Sequence, residues 1–349
     1  MNGDQVGGER VIAVTGISGF LGQRLLPLLD ASPRVDRVIG LDVRDPARRA
    51  RKLEFHRLDV LGADLTSYVR GADAIVHLAA VVGPMNDEEL FARVNVGGTR
   101  RVLDTATRAG IAKVVRPSST AVYGAWANNP VPLTEDAPLR PSPGYLPAIV
   151  DAECERLLAE WERTQPGRHA VRLRIAPVVG AGAHSLFAAA ALGRAPVRVR
   201  GAAPPVQVVH VDDAAAALEV ATNADVDGAY NVAADGWLAS EDAAALLPGR
   251  RVPGMPYDVA ARVLAAGWST GLGDAPPSVL PYLANPWVVA NDRLKSTGWK
   301  PRHSNDEAIL LATPVGDTSV LPWLVGAGAV SVGAALGTWW LTRSRKRRR

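Results

Sequence analysis

The sequence predicts an α/β fold: a Rossmann-type doubly wound parallel sheet, a smaller C-terminal substrate lobe, and a C-terminal transmembrane helix. Three observations carry this. Residues Val11 to Gly22 read as a strand, a glycine turn and the start of a helix. Apolar strand-like runs then alternate with helical runs as far as Ile175. Beyond Pro177 the alternation gives way to Gly- and Pro-rich sequence, and a long uncharged segment follows near the end of the chain. Strand and helix alternating at this spacing favour parallel pairing, because each crossover helix covers a face of the sheet.

The first strand, Val11 to Val14, runs through Thr15 into Gly16, Gly19 and Gly22, and an apolar helix follows over Leu21–Leu29. Gly16 allows the tight turn, Gly19 lets a pyrophosphate approach the backbone, and Gly22 lets the helix pack closely. Ser18, Phe20 and Leu21 complete the turn. Its amides, at the positive end of the helix dipole, suit phosphate oxygens. A second strand, Arg37 to Leu41, ends at Asp42, twenty residues after Gly22. An acid there accepts hydrogen bonds from an adenosine ribose and repels a 2′-phosphate, so NAD is expected over NADP. Arg44 moderates that preference.

Further strands are expected over Leu53–Leu58, Ala74–Leu78, Lys113–Arg116, Val171–Ile175 and Ala229–Val232. Helices are expected over Glu88–Ala109, Ala148–Arg163 and Asp212–Thr222. The expected organisation is a disordered N-terminus (1–9), an NAD-binding domain (10–176), an interleaved substrate lobe (177–312), a linker (313–320), a spanning helix (321–342) and a basic tail (343–349).

Composition narrows the function. The chain has 349 residues and one cysteine, Cys154, so no intramolecular disulfide can form. Six of the 39 basic residues lie in 343–349, which leaves 33 basic against 35 acidic elsewhere. The body has no basic excess, and nucleic acid is not an expected partner. Residues 1–10 lack an apolar signal-peptide core, so the globular part is expected to be cytoplasmic. Leu321 to Thr342 is 22 residues without a charge. As a helix it would reach about 33 Å, enough for a ~30 Å hydrocarbon core. Trp323, Trp339 and Trp340 flank it and a basic stop follows, so membrane lipid is an expected partner. Ala329, Gly333 and Gly337 form a small-residue stripe through which a homodimer could pack.

With these motifs in place, the chain resembles the extended short-chain dehydrogenases/reductases, which include NAD-dependent sugar-nucleotide epimerases and dehydratases. Thr15 to Gly22 matches the TGxxGxxG turn. Asp59-Val60 falls where the family contacts adenine. His77-Leu78-Ala79-Ala80 matches the cofactor-lining segment after strand four. Asn95 to Thr99 matches NVxGT, and Ser118 to Gly124 matches SSxxVYG. Arg174 to Pro177 resembles the stretch beside the nicotinamide. His210 to Asp213, Tyr230 to Val232 and Gly298 to Pro301 match later landmarks.

The resemblance implies NAD as cofactor and no metal. It places Gly16, Ser18, Gly19, Phe20, Leu21, Gly22, Asp42, Asp59, Val60, Leu78, Ala79, Ala80, Asn95 and Pro177 at the cofactor. It implies Ser119 and Tyr145 as the catalytic pair, Ser119 orienting a substrate oxygen and Tyr145 moving the proton. In the family a Lys four residues after the Tyr holds the nicotinamide ribose and lowers the Tyr pKa. Here that position is Ile149, and Glu153 matches a Glu eight residues on. The expected function is an epimerase/dehydratase-like or dehydrogenase-like protein at the membrane with a degenerate site. The expected substrate is a sugar nucleotide, a lipid-linked sugar or a sterol-like alcohol. The alternative is a non-catalytic NAD-binding scaffold or redox sensor. His184 is a candidate replacement acid or base, and Trp126 and Trp237 are candidates for stacking on a ligand.

Overall fold

A computed structural model describes residues 10–183, 185–247 and 252–313. Seven strands form the main sheet: β1 (Arg10–Thr15), β2 (Val35–Asp42), β3 (Leu53–Arg57), β4 (Ala74–His77), β5 (Lys113–Ser119), β6 (His169–Ile175) and β7 (Gly228–Val232). Their order is 7-6-5-4-1-2-3, and every pairing is parallel. The order reverses between β1 and β4. Ligands of open α/β sheets bind at such a switch point, outside the carboxyl ends of the strands.

Pleating divides the apolar residues between two cores. On β1, Ile12 and Val14 join Leu25, Leu29, Leu173 and Leu218 on one face, whereas Ala13 joins Ile39, Ile75, Leu158 and Trp161 on the other. The first face is covered by α1 (Phe20–Ala31), and the second by α2 (Gly98–Ala109) and α3 (Leu146–Arg163). A fourth helix, α4 (Val211–Asn223), packs against α1. The expected helix over Glu88–Ala109 forms in three joined pieces: an α-helical turn at Glu88–Ala92, a π-helical stretch at Arg93–Gly97, and α2.

Apart from α4 and β7, which complete the sheet layer, the sequence after Pro177 builds a small lobe around Val197, Val199, Ala260, Leu264, Val279 and Tyr282, and Tyr145 joins this cluster. The lobe thereby rests on the N-terminus of α3. Its strands are two-residue pairs, such as Arg198–Val199 with Gly254–Met255.

The expected transmembrane helix and membrane localisation require correction. No helix among the described residues is long and apolar enough to cross a membrane. The 18-residue α3 carries Asp151, Glu153, Glu155, Arg156, Glu160, Glu162 and Arg163 and lies against the sheet. Residues 321–342, on which the expectation rested, lie outside the described residues, as do 1–9, His184, the 314–320 part of the linker and the basic tail.

Candidate functional site

At the end of β1 the chain turns through Gly16, whose φ is 73°. A Cβ there would lie 2.5 Å from Ala79 N and 2.6 Å from the Leu78 carbonyl carbon, so the turn sits directly on the segment leaving β4. A Cβ at Gly22 would lie 2.4 Å from Ile17 O and 2.6 Å from Gly16 O, so here helix and turn touch backbone to backbone. Gly19 differs. A Cβ there would meet only Gly16 O, at 3.0 Å, and the space beyond is open. Gly19 is also the N-cap of α1, and no side chain caps that helix. The first-turn amides, beginning at Phe20 and Leu21, are left for an anion. An open cradle in front of uncapped amides fits a pyrophosphate.

Asp42 ends β2 and is 8% exposed. One carboxylate oxygen accepts the Ser18 amide at 2.9 Å and the other accepts the Arg44 amide at 3.0 Å. The Ser18 hydroxyl donates to the Arg44 carbonyl. Asp42 therefore orients the glycine turn as well as presenting its remaining lone pairs to a ribose. Asp42→Asn puts an amide NH₂ against a backbone N–H. The variant is expected to lose roughly 1–3 kcal/mol of stability along with NAD affinity, read by denaturant unfolding and calorimetry; unchanged values for both would refute this placement.

Of the other expected cofactor residues, those that follow β3 and β4 lie beside this turn, and Pro177 stands apart after β6. Leu58 N donates to Asp42 O and brings Asp59 and Val60 beside the end of β2. Asp59 accepts the Leu61 amide, and Val60 is buried. Leu78 N donates to Thr15 O, and Ala79 N to the Thr15 hydroxyl. Ala80 is exposed at the start of the loop. Asn95 is 3% exposed, and its amide pairs with both the N–H and the C=O of Val81, so it holds the loop in place. Pro177 follows β6, and its carbonyl accepts the Val209 amide.

His77 is buried at the end of β4, and its Nδ1 lies 2.8 Å from the Thr15 hydroxyl. Burial, with a smaller contribution from Arg116, lowers it from 6.5 to about 3. The unfolded chain therefore takes up this proton first. His77's contribution to stability is complete above pH 6.5 and is lost as pH falls towards 3, at up to about 1.4 kcal/mol per pH unit. Denaturant unfolding between pH 7 and 5 should show this slope, and His77→Phe should flatten it.

Ser119 ends β5. Its Oγ accepts the Ala121 amide at 3.1 Å and caps the short Thr120–Tyr123 turn. The hydroxyl proton is not used there and can be donated to a substrate oxygen. Tyr145 is the N-cap of α3 and is 4% exposed. Its ring packs on Tyr282 and Phe187, with centroids 5.0 and 5.5 Å away, and Trp287 packs behind them. Burial first, then Tyr282 and Asp151, push the phenol well above its ordinary range, and no cation among the described residues opposes them.

A seam that sequence reasoning missed joins α3 to the sheet. Arg174 on β6 grips Glu155 with its Nε and Nη2, and the Ser118 hydroxyl donates to the same carboxylate at 2.6 Å. Arg174 also reaches the Tyr123 hydroxyl, which donates to Asn231. Arg116 on β5 donates to Asp151 at 3.1 Å, and Arg172 on β6 donates to Glu162 at 3.3 Å. Glu153, the glutamate matched by spacing, faces outward to Arg156 and Arg100. The sheet-facing glutamate is Glu155. Ile149, one turn from Tyr145, is 39% exposed. Trp126 donates to the Arg140 carbonyl, and Trp237 is exposed.

A family model, the NAD dependent epimerase/dehydratase family, matches residues 12–233. The chain belongs to that family, and its cofactor is NAD, as expected. An uncharacterised protein of Mycobacterium tuberculosis is 30% identical over 240 residues, 66% of this chain and 63% of that protein. This chain therefore spans less than two thirds of that relative's length. A UDP-glucose 4-epimerase of Mycolicibacterium smegmatis is 35% identical over 154 residues, 40% of this chain and 48% of its own. The crystal structure of Thermus thermophilus UDP-glucose 4-epimerase with NAD superposes with a TM-score of 0.66 at 22% identity, covering 86% of this chain and 97% of that one. That likeness shows the shared fold.

Proposed function

We propose that the chain holds NAD across the carboxyl edge of the sheet and takes a hydroxyl-bearing ligand of the nucleotide-sugar type. We further propose that its turnover lies far below what a Tyr–Lys site supports. The observation that carries the cofactor reading is the open, uncapped turn at Gly19 beside the oriented carboxylate of Asp42. Support for the ligand class comes from the name of the Mycolicibacterium smegmatis relative.

NAD, when bound, supplies a hydride acceptor. Ser119 would donate its hydroxyl proton to the ligand oxygen. Tyr145 is held neutral in an aromatic cluster with no cation beside it among the described residues, so in this reading it does not act as a base at neutral pH. General acid–base catalysis contributes roughly 10²–10⁴-fold, and that factor is expected to be missing here. The measurement is turnover of UDP-glucose and dTDP-glucose with NAD. Rapid turnover that disappears in Tyr145→Phe would overturn the proposal. A second reading, a non-catalytic NAD-binding scaffold or redox sensor, is favoured by the burial of Tyr145. NAD binding without turnover on any sugar nucleotide would support it.

A further inference from the structure

Asp151 is a carboxylate in the second turn of α3 with one oxygen to spare. Its Oδ1 accepts Arg116 Nη2 at 3.1 Å. Arg116 is 4% exposed and also donates to the Pro117 carbonyl, so its guanidinium is fixed and fixes the carboxylate. No described residue donates to Oδ2, and the Asp151 side chain is 25% exposed. Arg116 stands three residues before Ser119 on β5 and shares with Ser118 the face that meets α3. One turn further along α3, the Cys154 thiol approaches the carbonyl of Asn95, whose side chain holds Val81 in the loop after β4. α3 thus packs against the segment that leaves β4 while Asp151 ties its second turn to β5.

Helix geometry separates Asp151 from Ile149. Residues four apart share a face. Tyr145, Ile149 and Glu153 form one stripe, which is exposed at Ile149 and solvent-paired at Glu153. Pro147, Asp151 and Glu155 form another, which meets Arg116 and Arg174 on the sheet. Counted back from the glutamate that faces the sheet, the position four residues earlier is Asp151, where the expected Lys would have stood.

A carboxylate with a spare oxygen accepts hydrogen bonds and cannot donate them, so its ligand must bring donors. Adjacent hydroxyls of a sugar ring are such a group. Asp42 offers the same chemistry at the other end of the cleft. We propose that Asp151, held by Arg116, accepts hydrogen bonds from the ribose hydroxyls on the nicotinamide side of the cofactor. NAD would then be gripped by one carboxylate at each ribose. This inference rests on the NAD reading of the glycine turn.

The test is calorimetric titration of the full chain with NAD and, separately, with AMP, which carries only the adenosine half. Asp151→Asn is expected to weaken NAD at least tenfold, as loss of a hydrogen bond to a charged group does, and to leave AMP affinity unchanged. Asp151→Glu keeps a charge for Arg116 but displaces the spare oxygen, so it should show the same split without disturbing the fold. Ile149→Lys should leave NAD affinity unchanged. If wild type binds NAD but both Asp151 variants bind it equally well, Asp151 does not touch the cofactor, although the glycine-turn reading stands. Tighter NAD binding in Ile149→Lys would also overturn the proposal. If wild type binds neither NAD nor AMP, the glycine-turn reading itself fails, and this inference with it.

Discussion

Glu155→Ala is expected to lower the unfolding free energy by about 3–5 kcal/mol, whereas Glu153→Ala should change it by less than about 1 kcal/mol. The two residues sit two positions apart on one helix and differ only in the face they occupy. The Glu155 side chain is 3% exposed and the Arg174 side chain 7%, and Arg174 makes three contacts with that carboxylate. Truncating Glu155 leaves a desolvated guanidinium and an unpaired Ser118 hydroxyl. Paired, the two charges contribute little net stability, because dehydrating both offsets most of their attraction. Unpaired, one buried charge remains without compensation. Glu153 pairs with the exposed Arg156, where water screens the interaction and side-chain entropy opposes it. Denaturant unfolding of both variants measures the contrast. Equal small effects would mean that the seam is hydrated and does not tie α3 to the sheet.

The same comparison shows how far the sequence can be read. The main sheet was legible because strand periodicity and crossover helices repeat as far as Ile175, and because the glycine turn and Asp42 are local signals. The small lobe was not legible, since a strand of two residues leaves no period. Nor was the seam. Arg116, Arg172 and Arg174 interrupt otherwise apolar strands, which signals buried partners, but those partners lie 35, 10 and 19 residues away. Spacing from Tyr145 selected Glu153, whereas packing against the sheet selects Glu155, and only the orientation of the helix distinguishes them. That same orientation sets Asp151 towards the sheet and leaves Ile149 exposed. For 321–342, hydropathy gave a length, and length alone does not say what an apolar segment packs against.

Gly22→Ala and Gly19→Ala are expected to fail in opposite ways, although the two glycines belong to one motif. A methyl at Gly22 overlaps the Ile17 and Gly16 carbonyl oxygens, 2.4 and 2.6 Å from the new carbon. Both are backbone atoms. Gly16 cannot yield, because it is itself wedged against the segment leaving β4. The start of α1 would have to lift off the turn. Overpacking of this kind costs about 1–3 kcal/mol, and rigid neighbours on both sides put Gly22→Ala at the upper end of that range. Gly19 has φ −73°, which any residue adopts, and an added methyl meets only Gly16 O at 3.0 Å. One contact a few tenths of an ångström too short replaces two deep overlaps, so its stability should fall by about 1 kcal/mol, less than that of Gly22→Ala. Its methyl does, however, stand in front of the uncapped amides that a pyrophosphate would use, so NAD affinity should fall at least tenfold. Thermal unfolding and calorimetric titration of the two variants separate the effects. If Gly19→Ala keeps full NAD affinity, the cofactor does not approach the backbone at Gly19 and the cradle belongs to another ligand. If Gly22→Ala unfolds like wild type, α1 can shift on the turn, and the third glycine is not required for their close packing.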